Sequence, residues 1–590
     1  MEERQPKRTA GGDEAGLKRR DLMKLGAGAG MGLVLGQVLN VEGVAAAVKP
    51  ETGELAAATT PAISAASSLS VFPQALTTDG QPTPLPAWGS LPNPTTPPGQ
   101  GLRRVSRAGF KVTGGRAFGM APCDDITRQV LEYAETFWNS PMSDATTFAV
   151  SELMVDALAS AIAGFESDAV RATARVSSQS SGNTLKATVW GYGISTTPEL
   201  ATHTNSSAVR HTDWSDNGLG GSHFSDSVPG VVSMAEAFHC SGMDVLKAVT
   251  LTYELIGAFQ TAPGSAGGVW DTIYVGPSTC IAIGKMLKMN DDQLANAYSL
   301  SFTTHMENNT SHSAGPLSMM KACHNADTVK GAVYSILLAR AGMTGPPAPF
   351  QGTKGIFDVM ANGGFKLVLP CPALNPATNQ PRYPFYRPGM MVVEGIQVKR
   401  FPAEAGFQAV VRILPEMGKF ANKADEIDSI TIEMGGFGEI GDAAKFDPQN
   451  EETADHSVPY VIARGLMDGG DIFLDSFTRD KYTDPAARAI MEKISIHEVQ
   501  GLTGSPRITI KKTSGETMTR ETQPLVKLTH EEVLAKYNRI CDYKKVNPAQ
   551  RDRMREQWLN LKDVKDMGDA VKMVAKYGAP RPLSDMTRSA

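Results

Sequence analysis

Between Asn205 and Asp226 the chain reads N-S-S-A-V-R-H-T-D-W-S-D-N-G-L-G-G-S-H-F-S-D. It holds two imidazoles, His211 and His223, three carboxylates, Asp213, Asp216 and Asp226, and the amide of Asn217. Such groups take up and release protons at moderate pH, so the stretch suits acid–base chemistry on a small molecule. Gly218, Gly220 and Gly221 let the backbone reverse sharply, which would return His223 toward Asp213 across the ten residues that separate them. The same composition also suits a solvated loop whose Asp and Asn side chains cap the next helix, and on its own it favours neither use.

The elements around this stretch are mostly helical. Apolar residues recur at helical spacing over 126–138, 147–165, 231–238, 242–259, 278–287, 291–302 and 328–340. The 147–165 run is small and apolar enough to be buried on most sides. After Gly342 the pattern changes: proline and glycine cluster at 345–355, and strand-like alternation follows at 390–401. A helix then runs from 403 toward 417, and half-buried strands at 427–434 and 507–511 complete a smaller α+β domain expected over 346–525. Amphipathic helix returns at 529–537 and 548–561. The fold class expected is mainly α.

With 590 residues, 57 basic and 62 acidic, the chain is long enough for more than one domain. Its charge balance recruits neither nucleic acid nor an anionic membrane, leaving a small molecule as the expected partner. Lys18, Arg19, Arg20, Asp21, Leu22, Met23 and Lys24 precede a Gly/Ala/Leu run to Leu39, and Ala45, Ala46 and Ala47 follow. This resembles a twin-arginine export signal over 1–47, removed after use by the translocase and leaving no stable membrane anchor, so a periplasmic location is expected. Residues 48–123 form a Pro/Ser/Thr-rich extension that cannot bury a core. The six cysteines, at 123, 240, 280, 323, 371 and 541, show no C-x-x-C spacing and are expected to be buried thiols. No iron-sulfur or zinc spacing is visible, and neither cofactor nor metal is expected.

H-T-D-W-S-D-N followed by H-F-S-D resembles the H-x-x-D-x-D-D/H-P-S signature of the MmgE/PrpD family. Four further segments add to it: Met319, Met320 and Lys321 with A-C-H-N-A-D-T-V-K-G-A-V, L-L-A-R-A-G-M-T-G-P at 337–346, K-R-F-P-A-E-A-G-F-Q at 399–408, and T-A-D-H-S-V-P-Y-V-I-A-R-G-L-M-D-G at 453–469. Together they span roughly 124–565 in the family's order. The resemblance implies a large all-helical domain, 124–345, rejoined by 526–590, with the α+β portion inserted as a lid, and a homodimer.

The resemblance also implies a cofactor-independent lyase of the 2-methylcitrate dehydratase type acting on a small polycarboxylic acid, with decarboxylation or epimerisation as neighbouring outcomes. An exported binding protein with a silent site is the contrasting class. Asp213, His223 and Lys321 match the family's catalytic aspartate, histidine and lysine. His324 lies three residues from Lys321, on the same helical face. Asn217 stands where a substrate-binding threonine is found. Near Thr272 the family places a histidine, and Tyr274 is the nearest proton-carrying group here. Arg464 is expected to face a substrate carboxylate at the cleft. Asp455, His456 and Ser457 are adjacent and cannot converge as a triad, so they read as a turn and helix start. A propionate-degrading step would be out of place after export, so the expected substrate is a related compound rather than 2-methylcitrate.

Overall fold

The computed structural model describes residues 123–585, apart from 183, 219–222, 263–270, 308, 313–314, 362–363, 375–384, 436–440, 500–505 and 523–524. The segments expected to be an export signal and an extension, 1–47 and 48–122, lie outside the described residues.

The chain is mainly α. Among the described residues of the first part there are nine helices: α1 (Asp125–Asn139), α2 (Asp144–Gly164), α3 (Asp168–Ser177), α4 (Pro198–His211), α5 (Val228–Phe238), α6 (Gly242–Thr261), α7 (Val275–Met286), α8 (Asp291–Thr304) and α9 (Met320–Arg340). Local chemistry fixes their starts. The Ser143 hydroxyl accepts from the Thr146 amide to cap α2, and Ser241 with Asp244 forms a capping box on α6. Alternating small and branched residues leave α2 apolar all round, and from Leu153 to Gly164 every residue is buried. This helix is also long and apolar enough to cross a membrane, but here it is a core helix.

Small residues set how closely these helices approach. A methyl group on Gly164 of α2 would stand 2.3 Å from the Ala208 carbonyl oxygen of α4, and one on Gly276 of α7 would stand 2.5 Å from the Thr328 carbonyl oxygen of α9. Helix α4 is thereby held against the core helices although Thr204, Asn205, Ser206 and Ser207 give it weak intrinsic propensity.

Among the described residues two large apolar clusters, with a small third one at Ala187, Val189 and Ala201, divide the side chains. The first gathers α1–α9, residues of the 346–398 stretch such as Phe350, Tyr386 and Val398, and the late helices α15 (His530–Tyr543), α16 (Pro548–Leu559) and α17 (Met567–Val574). The second begins at Ala403 and contains α10 (Phe407–Val411), α11 (Leu414–Phe420), α13 (Val458–Met467) and α14 (Pro485–Met491). A short helix, α12 (Glu451–Ala454), leads into α13. These helices cover a four-stranded sheet in the order β6-β5-β7-β8: β5 is Ile427–Met434, β6 Ile494–Glu498, β7 Arg507–Lys512 and β8 Thr517–Glu521. Ile430 pairs with Ile494 and Ile510, and Ile432 with Ile508, so one face is a continuous isoleucine surface. Each such side chain, fully buried, contributes about 1.5–3 kcal/mol.

The expected strand at 390–401 is different in the structure. A four-residue helix, Val392–Gly395, comes first, because the Glu254 carboxylate accepts from the Val392 amide at 3.0 Å and pins the turn to α6. Only β4, Gln397–Val398, remains extended; it pairs antiparallel with β3, Asp216–Asn217, as β1, Ala187–Val189, does with β2, Ile194–Thr196. None of the six cysteines is in a disulfide.

Candidate active site

Helix α4 ends at His211, and two residues later Asp213 takes a left-handed backbone conformation, φ +51°. Aspartate tolerates that conformation better than most residues, and it turns the carboxylate back beneath the helix end. Arg210, on the last turn of α4, pairs with Asp213 Oδ1. The β3–β4 ladder brings in the second cation, since Lys399 follows β4 directly. Its ammonium donates to Asp213 Oδ2 at 2.6 Å and to the Asp213 carbonyl at 3.0 Å. His223 closes the group: Nε2 is 3.3 Å from Lys399 Nζ and 3.4 Å from Asp213 Oδ1, while Nδ1 is 2.8 Å from Ser215 Oγ. Asp213, His223 and Lys399 are all buried.

Burial opposes charge on each group, and the neighbours decide the outcome. For Asp213 the desolvation is outweighed by Lys399 and Arg210, which hold its carboxyl well below the usual range. His223 is pushed well below 6.5 by burial, Arg210 and Lys399, so its ring is neutral. Lys399 is lowered by burial against the pull of Asp213. Half-buried Glu404 is raised to about 7 by burial, against the opposing charge of Lys399.

From Arg210 the network continues to the lysine of α9. Arg210 Nη2 lies 2.6 Å from His312 Nε2, whose ring makes edge contacts with His324 at 5.0 Å and His456 at 5.6 Å. His456 Nδ1 is 2.6 Å from Asp455 Oδ1, and Asp455 Oδ2 pairs with the buried ammonium of Lys321. Burial and Arg210 lower His312 well below 6.5 and His324 to about 3. On the far side Arg210 Nε is 3.7 Å from Asp226 Oδ2, which accepts from Asn325 Nδ2 at 2.7 Å. Burial raises Asp226 to about 7 despite Arg210. The outcome is a buried, cation-rich cluster with neutral imidazoles and acids near neutral pKa, suited to a polyanionic ligand that exchanges protons.

The structure brings Asp213 and His223 together and joins Lys321 to them through Asp455, His456, His312 and Arg210. His324 belongs to the same network. Asn217, on β3, is buried, and its Oδ1 has no partner among the described residues. Tyr274 is not brought to the cluster: its ring stacks on Phe259 at 4.7 Å within a nest that includes Phe302 and Phe365, an apolar packing role. Arg464 is likewise elsewhere, its guanidinium held by Asp468 and Asp484. The side chain of Thr272 lies outside the described residues.

Four groups were absent from the sequence-based site: Arg210, Lys399, Glu404 and His312. Arg210 could have been found from its spacing of three to Asp213, and Lys399 and Glu404 from the K-R-F-P-A-E run; His312 carries no local signal. Asp455 and His456 are more than the turn expected of them, since both belong to the network, whereas Ser457 does cap α13 by accepting from the Tyr460 amide at 3.1 Å.

Residues 128–367 match the MmgE/PrpD N-terminal domain and residues 401–561 the MmgE/PrpD C-terminal domain. The chain is similar to a 2-methylcitrate dehydratase of Salmonella typhi, 23% identical over 347 residues that cover 55% of this chain and 68% of the relative. A 2-methylcitrate dehydratase of Salmonella typhimurium is 23% identical over 336 residues, 53% of this chain and 65% of its own. One of Cupriavidus necator is 24% identical over 321 residues, 50% and 61%. The chain thus spans about two thirds of the length of the curated relatives it matches.

Proposed function

The chain belongs to the MmgE/PrpD family, and on that footing we propose that it is a cofactor-independent lyase that removes a proton next to a carboxylate of a small polycarboxylic acid and then expels water. The observation that carries this reading is the buried triangle of His223 Nε2, Asp213 Oδ1 and Lys399 Nζ, with sides to the imidazole of 3.4 and 3.3 Å. With Nδ1 donating to Ser215 Oγ, Nε2 carries the lone pair and is the base. Asp213 fixes Lys399, and Lys399, Arg210 and Lys321 stabilise the substrate carboxylates and the negative charge that develops as the proton leaves. Glu404, near pKa 7, is protonated in a large share of molecules at neutral pH and supplies the proton that the departing hydroxyl takes.

A carbanion held in this way can also lose carbon dioxide or be reprotonated on its other face, so decarboxylation and epimerisation share every step up to it. Of the 346–525 stretch expected as a lid, 346–398 packs in the first cluster, and the 403–518 portion is the lid of this reading: Asp455, Glu404 and His456 come from it, so closure completes the site around a bound anion. Export by the twin-arginine route and a substrate other than 2-methylcitrate complete the proposal, supported by the segment Lys18–Leu39.

Solvent exchange decides it. The protein is incubated in deuterated buffer with a panel of hydroxylated and unsaturated di- and tricarboxylates, 2-methylcitrate included, and followed by NMR. The reading expects deuterium at a carbon next to a carboxylate for at least one compound, its loss in His223→Ala and a slower but measurable rate in Lys399→Met. No exchange by the wild type with any compound, or undiminished exchange in both variants, rejects it. Fast turnover of 2-methylcitrate itself removes only the substrate clause.

A further inference from the structure

Outside the network, the end of α4 and the start of α12 meet at a group the mechanism does not use. One donor atom from each of His211, Glu451 and Glu452 lies within 4.8 Å of the other two. His211 Nε2 is 3.0 Å from Glu451 Oε1, an ordinary imidazole–carboxylate contact that accounts for one of the two acids. Glu452 is left over. It is 3% exposed, and its carboxylate has no side-chain hydrogen bond or ion pair among the described residues, only its own backbone amide. A buried carboxylate held only by its own backbone amide and the nearby charges of His211 and Lys321 is costly, the more so beside a second carboxylate.

We infer that His211, Glu451 and Glu452 bind one divalent cation of the zinc and manganese class. Two carboxylate oxygens and one imidazole nitrogen are donors such ions accept, with water completing the sphere. Donors on a tetrahedral ion at about 2.1 Å lie about 3.4 Å from one another, so the three groups, now within 4.8 Å, need close by about 1.4 Å at most. The ion satisfies Glu452 and replaces the proton that His211 otherwise shares with Glu451. Lys321, Lys544 and Tyr482 are the other titratable groups acting here. Of these, Lys321 is engaged by Asp455, which limits how far it repels the ion.

The placement gives the ion a structural task. It ties α4, which carries Arg210, to α12, whose next residue is Asp455, the partner of Lys321. The site is independent of the reaction proposed above, because none of its three residues belongs to the proton-transfer network.

The test uses the untagged full chain, stripped with a chelator and titrated by calorimetry with zinc chloride and with manganese chloride, with thermal unfolding followed in parallel. One ion per chain is expected, with a higher unfolding midpoint. Glu452→Gln and Glu451→Gln are each expected to weaken binding about tenfold or more. Glu451 is 40% exposed at its side chain, so its variant folds even where the Glu452 change does not. No stoichiometric binding of either ion overturns the inference, as does unchanged affinity in the folded variants.

Discussion

The charge state of His223 is the residue-scale quantity on which the rest turns. Burial, Arg210 and Lys399 lower its pKa, and Asp213 pulls the other way. The acid limb of kcat/KM is therefore expected below pH 6.5. Lys399→Met removes one of the opposing charges and should move that limb upward, whereas Asp213→Asn removes the carboxylate that favours protonation and should move it further down. Identical acid limbs in all three proteins would remove His223 from the reaction. Asp226 gives a stability prediction of definite sign. Its folded pKa, about 7, lies above the unfolded value, so its contribution is full below about pH 4 and is lost as pH rises through 7. Asp226→Asn does not ionise, and its stability relative to wild type should improve by about 2–4 kcal/mol from pH 4 to pH 8, measured by denaturant unfolding. Asp213, His223 and Lys321 were legible in the sequence because their motifs are local. His312, Asp455 and His456 come from segments remote from that loop, and no spacing along the chain reveals a contact of that kind.

At the scale of elements, α4 is the helix that most needs its surroundings. It was not legible as a helix, because the Thr204 to Ser207 run has weak helical propensity and lacks an apolar stripe. Packing against α2 supplies what propensity does not, and that packing depends on the bare backbone at Gly164. Gly164→Ala would force a methyl group to within 2.3 Å of the Ala208 carbonyl, an atom that moves only with its helix. A loss of about 1–3 kcal/mol is expected in denaturant unfolding, with weaker activity because the end of α4 carries Arg210 and Asp213. Gly182→Ala, also near backbone but outside the helices, should leave kcat/KM nearer wild type for an equal loss of stability. If Gly164→Ala unfolds like wild type, α4 is not held as described. Strands β5 and β7 were legible from alternation. The 390–401 stretch alternates as well, yet Glu254 captures its backbone and only two residues remain extended.

Over the whole molecule the question is how a polyanion reaches groups that are buried. The division into two large apolar clusters makes movement of one against the other a testable route: hydrogen bonds cross the seam beside Phe473 of the 403–518 portion, which packs on Trp214. Along the seam the Leu317 amide donates to Thr453 Oγ1 at 3.0 Å, the Gly315 amide to Asp442 Oδ2 at 2.7 Å, and Asn450 Nδ2 to the Leu317 carbonyl at 2.7 Å. Side-chain partners of this kind would release if the 403–518 portion swings away, whereas the amides inside α6 bond within their own helix and would not. Hydrogen exchange read by mass spectrometry should therefore find peptides over 315–317 opening far faster than peptides over 245–258, with the same free energy for the whole seam. A bound polycarboxylate that bridges Arg210 of the first cluster and His456 of the 403–518 portion would hold the two together, so it should slow exchange over 315–317 and leave 245–258 unchanged. Asp455→Asn, which weakens the tie to Lys321, should speed exchange over 315–317 without ligand. Equal protection in the two regions, or a ligand that slows neither, would mean that the clusters move as one body and that substrate enters by another route.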